Sequence, residues 1–303
     1  MTLVQFPTPH IESYTQPDDD LFDIKGQVLT YGPYSSIPPY GNFSFYLHYE
    51  HSIALPHFTR VERRIEVSHW GNIAIDEFYN LENLGAELSG EFSRVDFTSR
   101  TRPAGLNALE NLEAVLPRSA WGLYFRDELG NVSTSHALQH SYYVGLEVEP
   151  RFPIMGGWRS NMNIGYNLPI SYFVKSKENQ FMLNTTFGIP FTDIVADELI
   201  VRVILPEGAW DIKPILPFKV EDMYFDTLNS YIDIVGRPVL VLVKKNAVDF
   251  HRKPFQVLYK FEKSSLLMEP VYLSGLVLGV LLLQICYLRV SLRVEGESKV
   301  KTE

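Results

Sequence analysis

The chain has 303 residues, of which 46% are hydrophobic and 21% charged, and its formal net charge at pH 7 is −9. This length suffices for one large domain or two smaller ones, and the composition is typical of folded rather than disordered proteins. The acidic balance, without a long basic stripe, argues against nucleic-acid binding. The 17 tyrosines and 19 phenylalanines favour β-strands.

The N-terminal residues 1–40 are rich in Pro, Gly, Tyr and Asp, which predicts a linker or the remnant of a preceding domain. Residues 1–16 have neither the basic region nor the apolar run of a signal peptide. Export of the part that follows would therefore require a segment upstream of Met1, or Met1 as an internal start.

Residues 41–268 have the pattern of a β-rich domain. Several segments alternate apolar with polar residues, and this period of two is typical of half-buried antiparallel strands. Many strands separated by turn signals at short intervals predict a mainly β, antiparallel, sandwich-like domain rather than an α/β fold. The predicted inward positions include Ile65, Val67, Leu199, Val201, Val203, Leu205, Phe255, Val257, Tyr259 and Phe261.

One segment of this region has a helical period. In AGLNALENLEAVLP, residues 104–117, leucines recur at intervals of three or four residues, and a proline ends the run. This spacing predicts a short helix across one face of the sheet. The residues that define the run are Leu106, Leu109, Leu112, Leu116 and Pro117.

The segment RDELGNVSTSH, residues 126–136, concentrates residue types that hydrolases use, namely Asp127, Glu128, Ser133, Ser135 and His136. A nucleophile needs a base within hydrogen-bond reach. Ser135 and His136 are neighbours on a strand and point to opposite faces, so they do not form such a pair locally. The chain also has no G-x-S-x-G motif. These observations predict no catalytic residue here.

The same segment has the pattern of a hairpin. Trp121, Leu123 and Phe125 alternate inward on the first strand. Gly130-Asn131 is a favourable turn pair, and a second strand follows it. We therefore interpret the acids and hydroxyls as the polar surface of a solvated hairpin.

A second concentration of polar residues lies in HYEHSIALPH, which contains His48, Glu50, His51 and His57. Zinc needs three or four convergent ligands. A strand would place His48 and Glu50 on one face and His51 on the other, and no H-E-x-x-H motif occurs. His136 and His140 are four residues apart, but outside any predicted helix. Since no phosphate-binding glycine motif occurs either, the sequence predicts neither a metal site nor a cofactor site.

Residues 270–288, PVYLSGLVLGVLLLQICYL, contain no charged residue. A helix of this length spans about 28 Å, close to the roughly 30 Å hydrocarbon core of a bilayer. The sequence therefore predicts a single transmembrane helix, followed by a short cytosolic tail at residues 289–303. The one cysteine, Cys286, lies within this span, so no disulfide is expected in the preceding domain.

Basic residues flank the span almost equally, so the positive-inside rule does not fix its orientation. Three Asn-x-Ser/Thr sequons favour one orientation, because all of them precede the span: Asn42, Asn131 and Asn184. The large part is therefore predicted to be lumenal or extracellular. Asn131 is the strongest of the three glycosylation candidates, since it adjoins a turn with hydrophilic neighbours.

Nine motifs occur in one order along the chain: YGPYSSIPPY, HYE, IEVSHWGNIAIDE, FSRVDF, YFRDELGNVSTSH, PRFPIMGGWR, IGYNLP, ILPEGA and GRPVLV. Together they closely resemble the ribophorin I family, which is subunit 1 of the oligosaccharyltransferase complex. The resemblance extends from Tyr31 through the membrane span. Asn131 lies inside one of these motifs, whereas Asn42 and Asn184 match none of them.

The resemblance implies a single-pass type I protein of the endoplasmic reticulum membrane with its bulk in the lumen. It implies a non-catalytic subunit that supports en bloc transfer of a dolichol-linked oligosaccharide to Asn-x-Ser/Thr of nascent polypeptides. The implied partners are the other subunits, including the catalytic one, nascent polypeptides and membrane lipid. Relative to the family, we expect the signal peptide and most of a first lumenal domain to be absent. The alternative is a stand-alone membrane-anchored domain that binds or hydrolyses glycans.

Overall fold

The computed structural model describes residues 1–16, 22–34, 39–41, 44–51, 53–88, 90–98, 107–230, 233 and 235–290. These residues are mainly β, which confirms the predicted fold class. The strands are β1 (Thr2–Gln5), β2 (Ile11–Tyr14), β3 (Phe22–Lys25), β4 (Val28–Tyr31), β5 (Leu47–Tyr49), β6 (Pro56–Ser68), β7 (Asn72–Asn83), β8 (Ala108–Leu109), β9 (Leu112–Pro117), β10 (Trp121–Asp127), β11 (Gly130–Asn131), β12 (His136–Gln139), β13 (Tyr143–Val148), β14 (Ile154–Met155), β15 (Arg159–Pro169), β16 (Val174–Lys177), β17 (Gln180–Thr186), β18 (Val195–Ile204), β19 (Trp210–Ile215), β20 (Asp222–Leu228), β21 (Arg237–Ala247) and β22 (Pro254–Lys260). The helices are α1 (Arg94–Thr98), α2 (Ile170–Phe173) and α3 (Met268–Arg289), and turns of 3₁₀ helix cover Asp249–His251 and Lys263–Leu267.

The chain forms two compact units, each built from non-contiguous segments. The first comprises residues 1–56, 83–109 and 153–158, and the second comprises 57–82, 110–152 and 159–303. In the first unit, β1, β4 and β3 form a sheet whose buried residues are Phe6, Leu29 and Tyr31. The division into 1–40, 41–268, 270–288 and 289–303 stays a prediction.

The second unit contains an eight-stranded sheet in the order β11-β10-β15-β7-β6-β18-β21-β20. Its neighbours pair antiparallel at β10–β15, β15–β7, β18–β21 and β20–β21, as predicted. One neighbouring pair departs from the antiparallel pattern, because β6 and β18 run parallel. More than a hundred residues separate these two strands, and a long connection lets the second strand return in the same direction.

A four-stranded sheet, β16-β17-β22-β19, also belongs to the second unit. The predicted inward row along β22 is confirmed, since Phe255, Val257 and Tyr259 of the strand and Phe261 directly after it are all buried. His69, which follows β6, stacks on the ring of Phe261 at 4.5 Å, and its Nε2 lies 3.0 Å from the Tyr259 hydroxyl. These contacts join the end of β22 to the turn that follows β6.

The helix predicted over residues 104–117 is wrong. Leu112–Pro117 is strand β9, which pairs with β13, while Leu106 lies outside the described residues. The leucines fit both periods because Leu112 and Leu116 are also an even number of residues apart. Ala114, buried between them, decides the matter, since a strand and not a helix brings alternate residues to one face.

The predicted inward row of β10 is wrong at its first residue. Phe125 is buried, but Trp121 is largely exposed. The pairing of β10 with β15 is irregular between Trp121 and Tyr124, where Gly122 has a φ of +62°. A bulge of this kind interrupts the alternation, so residues before it no longer share a face with those after it.

The C-terminal helix α3 has 22 residues, about 33 Å at 1.5 Å per residue. Its most apolar 18-residue stretch has a mean hydropathy of 2.1 and is unburied by the rest of the protein. Within the described residues it is the one helix long and apolar enough to cross a membrane, which confirms the predicted apolar helix at 270–288. The predicted tail lies almost wholly outside the described residues, which end at Val290.

Candidate functional site

The segment 126–136 begins with a tight hairpin. Arg126 pairs with Asn131 and Asp127 with Gly130, so a hairpin forms here, but its second strand is Gly130–Asn131 itself and the strand expected directly after Asn131 does not form, since residues 132–135 have no regular structure. The turn itself is Glu128-Leu129 rather than Gly130-Asn131. Gly130 has a φ of +125°, a conformation that glycine adopts without steric cost.

Asp127 holds this hairpin to the chain that follows it. Its Oδ2 accepts a hydrogen bond from Arg151 Nε at 2.6 Å, and its Oδ1 accepts one from the Leu129 backbone N–H at 2.9 Å. The Arg151 guanidinium holds the pKa of Asp127 below its usual range. The carboxylate is therefore an ionised structural acceptor rather than a poised general acid.

The other hydrolase-type residues of the segment also make structural contacts. Glu128 Oε1 accepts from Asn161 Nδ2 at 2.6 Å, and Ser135 Oγ accepts from the Glu149 backbone N–H at 3.2 Å. His136 is exposed on β12, and Ser133 is exposed in the segment before it. Among the described contacts, none joins the side chains of Ser135 and His136, so the structure brings no nucleophile–base pair together here.

Asn131 lies in the two-residue strand β11, at the edge of the eight-stranded sheet. Its side chain is exposed, and its Oδ1 accepts a hydrogen bond from Arg126 Nε at 2.9 Å. Its Nδ2, the atom that a glycan would join, has no hydrogen-bond partner among the residues that the structure describes. A short edge strand has few ladder bonds to break, which suits an acceptor that must enter a transferase site.

The other two sequons have different surroundings. Asn184 is exposed, but it lies within β17, where it pairs with Gln256 of β22. The sequon's middle residue, Thr185, is buried. Exposing this sequon to an enzyme would break the interior of the four-stranded sheet. Asn42 lies outside the described residues.

The histidines considered as metal ligands are divided between the two units. His57 belongs to the second unit, where its Nε2 lies 2.9 Å from Asp197 Oδ2. His48 and His51 belong to the first unit, in which His51 contacts the ring of Tyr49. His140, also considered as a ligand, stacks on Tyr143 in the second unit.

A cluster of three carboxylates, which the sequence analysis missed, lies where α3 begins. Ligand oxygens of Glu207, Asp233 and Glu269 lie within 4.8 Å of one another, a spacing that could hold a metal ion. Arg237 contacts Asp233 at 3.3 Å and Glu269 at 3.5 Å and supplies a counterion. The three residues of this cluster come from distant segments of the chain, so no local sequence motif indicated it.

Sequence reasoning also missed a buried ion pair between the sheets. Arg63 Nη1 contacts Glu77 Oε1, and both side chains are almost inaccessible to solvent. The same Nη1 lies 3.1 Å from the Gly188 carbonyl, and the Tyr79 hydroxyl donates to Glu77 Oε2 at 2.5 Å. Burial and the neighbouring Glu77 carboxylate raise the pKa of Tyr79 well above its ordinary value. Burial alone would lower the pKa of Arg63, but Tyr166 and Glu77 outweigh it and raise that pKa.

Residues 1–288 match the protein family described as Ribophorin I. The chain belongs to the ribophorin I family. Dolichyl-diphosphooligosaccharide–protein glycosyltransferase subunit 1A of Arabidopsis thaliana is 40% identical over 295 residues, and the alignment covers 97% of this chain and 48% of that protein. Subunit 1B of the same name from Oryza sativa subsp. japonica is 38% identical, with 97% of this chain and 62% of that protein covered. Subunit 1 of Caenorhabditis elegans is 40% identical over 270 residues, with 89% and 46% covered.

The chain thus spans about half the length of the Arabidopsis subunit 1A and Caenorhabditis ribophorin I relatives. Among solved structures, an M1 zinc metallopeptidase from Deinococcus radiodurans matches 68% of this chain and 42% of its own. That match has 10% sequence identity and a TM-score of 0.37, too low to support an inference about this ribophorin I family chain.

Proposed function

We propose that the chain is an accessory, non-catalytic subunit of the oligosaccharyltransferase complex in the endoplasmic reticulum membrane. In this role it supports transfer of dolichol-linked oligosaccharide to Asn-x-Ser/Thr of nascent polypeptides. The observation that carries the proposal is the family match over residues 1–288, with relatives named as subunit 1 of this transferase. Asp127, Glu128 and Ser135 act as structural contacts, which supports a role without chemistry.

Affinity purification of the tagged full chain from microsomes in mild detergent tests this assignment. We expect the other transferase subunits to co-purify in near-equal amounts, because an accessory subunit acts by binding. A protein that purifies alone, and that binds or hydrolyses glycans by itself, would instead support the stand-alone domain.

The proposed anchor is α3, with the β-rich part in the lumen and the C-terminus in the cytosol. All three sequons precede α3, and N-glycans are added in the lumen. In sealed microsomes we therefore expect added protease to remove a C-terminal tag and to leave the β-rich part intact. Detergent-opened microsomes are the control, in which both parts become accessible. A tag that stays protected in sealed microsomes contradicts the orientation.

The proposed modification site is Asn131, which we expect to carry an N-glycan in the assembled protein. N-glycanase digestion in heavy-oxygen water should leave a deamidation label at residue 131. The variant Asn131→Gln should lose one glycan in gel mobility. Asn184→Gln is the matched control and should leave the mobility unchanged, because its sequon lies in the interior of a sheet. An unlabelled Asn131 peptide would refute this assignment.

A further inference from the structure

One end of the second unit, here called the α3 end, is defined by strand register. Pro169 of β15 pairs with Asn72 of β7, next to the β6–β7 turn. At the same end, β20 finishes and β21 starts, because Leu228 pairs with Arg237. The Lys260 end of β22 joins them, since Phe261 stacks on His69 after β6. Six strands therefore place a turn or a terminus at the α3 end.

The apolar helix leaves the protein from this end. Arg237, the first residue of β21, contacts Glu269 of the first turn of α3 at 3.5 Å. Trp70, in the β6–β7 turn, lines one small cavity together with Ser265 and Leu266, which directly precede α3. The helix thus starts in contact with the end of the sheet rather than beyond a free linker.

Exposed aromatic side chains gather at the α3 end. Trp121 begins β10 opposite Asn167, and Trp210 begins β19 opposite Lys260. The helix α2 follows β15, and its backbone bonds the β6–β7 turn. The four residues, here called the aromatic ring, are Trp70 (67% exposed), Trp121 (56%), Tyr172 of α2 (75%) and Trp210 (52%).

Chance is a poor explanation for the aromatic ring. The chain has four tryptophans, and three of them are in the ring; the fourth, Trp158, belongs to the first unit, where it contacts Phe92. Single exposed apolar side chains are ordinary, but large aromatics from four separate elements at one end of a domain indicate a contact surface.

We infer that the aromatic ring rests in the headgroup region of the bilayer, a conclusion that depends on the proposed membrane span of α3. Tryptophan and tyrosine favour this zone because each has an apolar body and a polar tip. The lipid surface is the occupant that the structure favours, since the helix that would enter it begins at the same end. Lys260 Nζ lies 4.7 Å from the centre of the Trp210 ring and 2.9 Å from Asp211 Oδ2, so this cation already has a counterion and the inference rests on the aromatic side chains.

With this placement the second unit contacts the membrane through the aromatic ring as well as through α3. It also orients the glycosylation candidate. Trp121 begins β10, and Asn131 follows the hairpin turn at the opposite end of that strand. The seven residues of β10 span about 20 Å. A glycan on Asn131 would then project from the side of the sheet that is distant from the lipid.

Tryptophan fluorescence of the full chain in phosphatidylcholine vesicles tests the inference, with lipid brominated near the headgroup as quencher. The variant Trp158→Phe keeps the ring tryptophans, and the matched control Trp70→Phe/Trp121→Phe/Trp210→Phe keeps only Trp158. We expect brominated lipid to quench the ring emission, because interfacial tryptophans lie at headgroup depth, and to leave the emission of Trp158, which packs on Phe92, largely unchanged. The single variant Trp70→Phe, which changes the most exposed of the three tryptophans, should lower the quenchable emission by about a third if the three contribute equally.

A reporter in α3 separates this inference from the proposed span. Leu278→Trp, in a chain whose native tryptophans are phenylalanine, should be quenched by lipid brominated deep in its acyl chains. A quenched α3 reporter with unchanged ring emission overturns the inference and leaves the span intact, because protein or water then covers the ring. An unquenched α3 reporter overturns the span, and if the ring is unquenched as well, both proposals fall.

Discussion

Replacing Arg63 with alanine lowers the free energy of unfolding of the second unit by about 3–5 kcal/mol, because it leaves a buried carboxylate without its counterion. Glu77 is fully inaccessible to solvent, and its two oxygens are held by Arg63 Nη1 and the Tyr79 hydroxyl. For a unit of this size we expect the melting temperature to fall by about 10 °C. Thermal unfolding of the full chain in detergent, followed by near-ultraviolet circular dichroism, measures the change.

The neighbouring arginine provides the matched control. Arg64 is exposed and its Nε lies 2.8 Å from Glu62 Oε1, so Arg64→Ala should cost at most about 1 kcal/mol. The double variant Arg63→Met/Glu77→Leu should recover most of the loss, because apolar groups of similar volume replace both charges. Equal melting shifts for Arg63→Ala and Arg64→Ala would contradict a structural role for the buried pair.

Two arginines in the middle of α3, Leu278→Arg with Leu281→Arg, abolish membrane integration. Each charge at the centre of a transmembrane helix costs about 2.5–3.5 kcal/mol, so the pair costs about 5–7 kcal/mol. No charged residue occurs between Glu269 and Arg289, so α3 offers no partner within the span. Alkaline carbonate extraction separates the outcomes, with the wild-type chain in the membrane pellet and the variant in the supernatant.

The control for this helix changes the same positions without adding charge. Leu278→Ala with Leu281→Ala should stay in the pellet, because the helix remains long and uncharged. A doubly arginine-substituted chain that also stays in the pellet would mean that something other than the apolar surface of α3 holds the protein in the membrane.

The strands of the second unit could be predicted where residue type and period agree. Along β22, the inward residues Phe255, Val257 and Tyr259 are apolar and buried, and two of the three residues between or after them, Gln256 and Lys260, are polar. The residues of β9 gave a false helix, because leucines spaced by three and four satisfy a helical period even when a strand bears them. The choice there depends on pairing with β13, a tertiary contact that local pattern does not contain.

The sequence around the buried ion pair is easily mistaken for that of an exposed position. Arg63 is two residues before Ile65, so both side chains point to the buried face of β6. A charged residue is normally expected on the exposed face of a strand, and the sequence alone would therefore place Arg63 there. Its partner is visible only once the hairpin is known, because Arg63 and Glu77 are equally distant in sequence from Trp70 at the turn. The carboxylate cluster of Glu207, Asp233 and Glu269 has no comparable pattern in the sequence.

We propose that this chain contributes to oligosaccharide transfer by binding and not by chemistry. The most direct test is the rate of transfer to an Asn-x-Ser/Thr acceptor peptide by the purified complex that contains Asp127→Ala/Ser135→Ala/His136→Ala. We expect a rate within a few-fold of the wild-type complex, with the triple variant still co-purifying. A loss of about 10² to 10⁴ in rate, as removal of a general acid or base causes, with assembly intact, would contradict the claim.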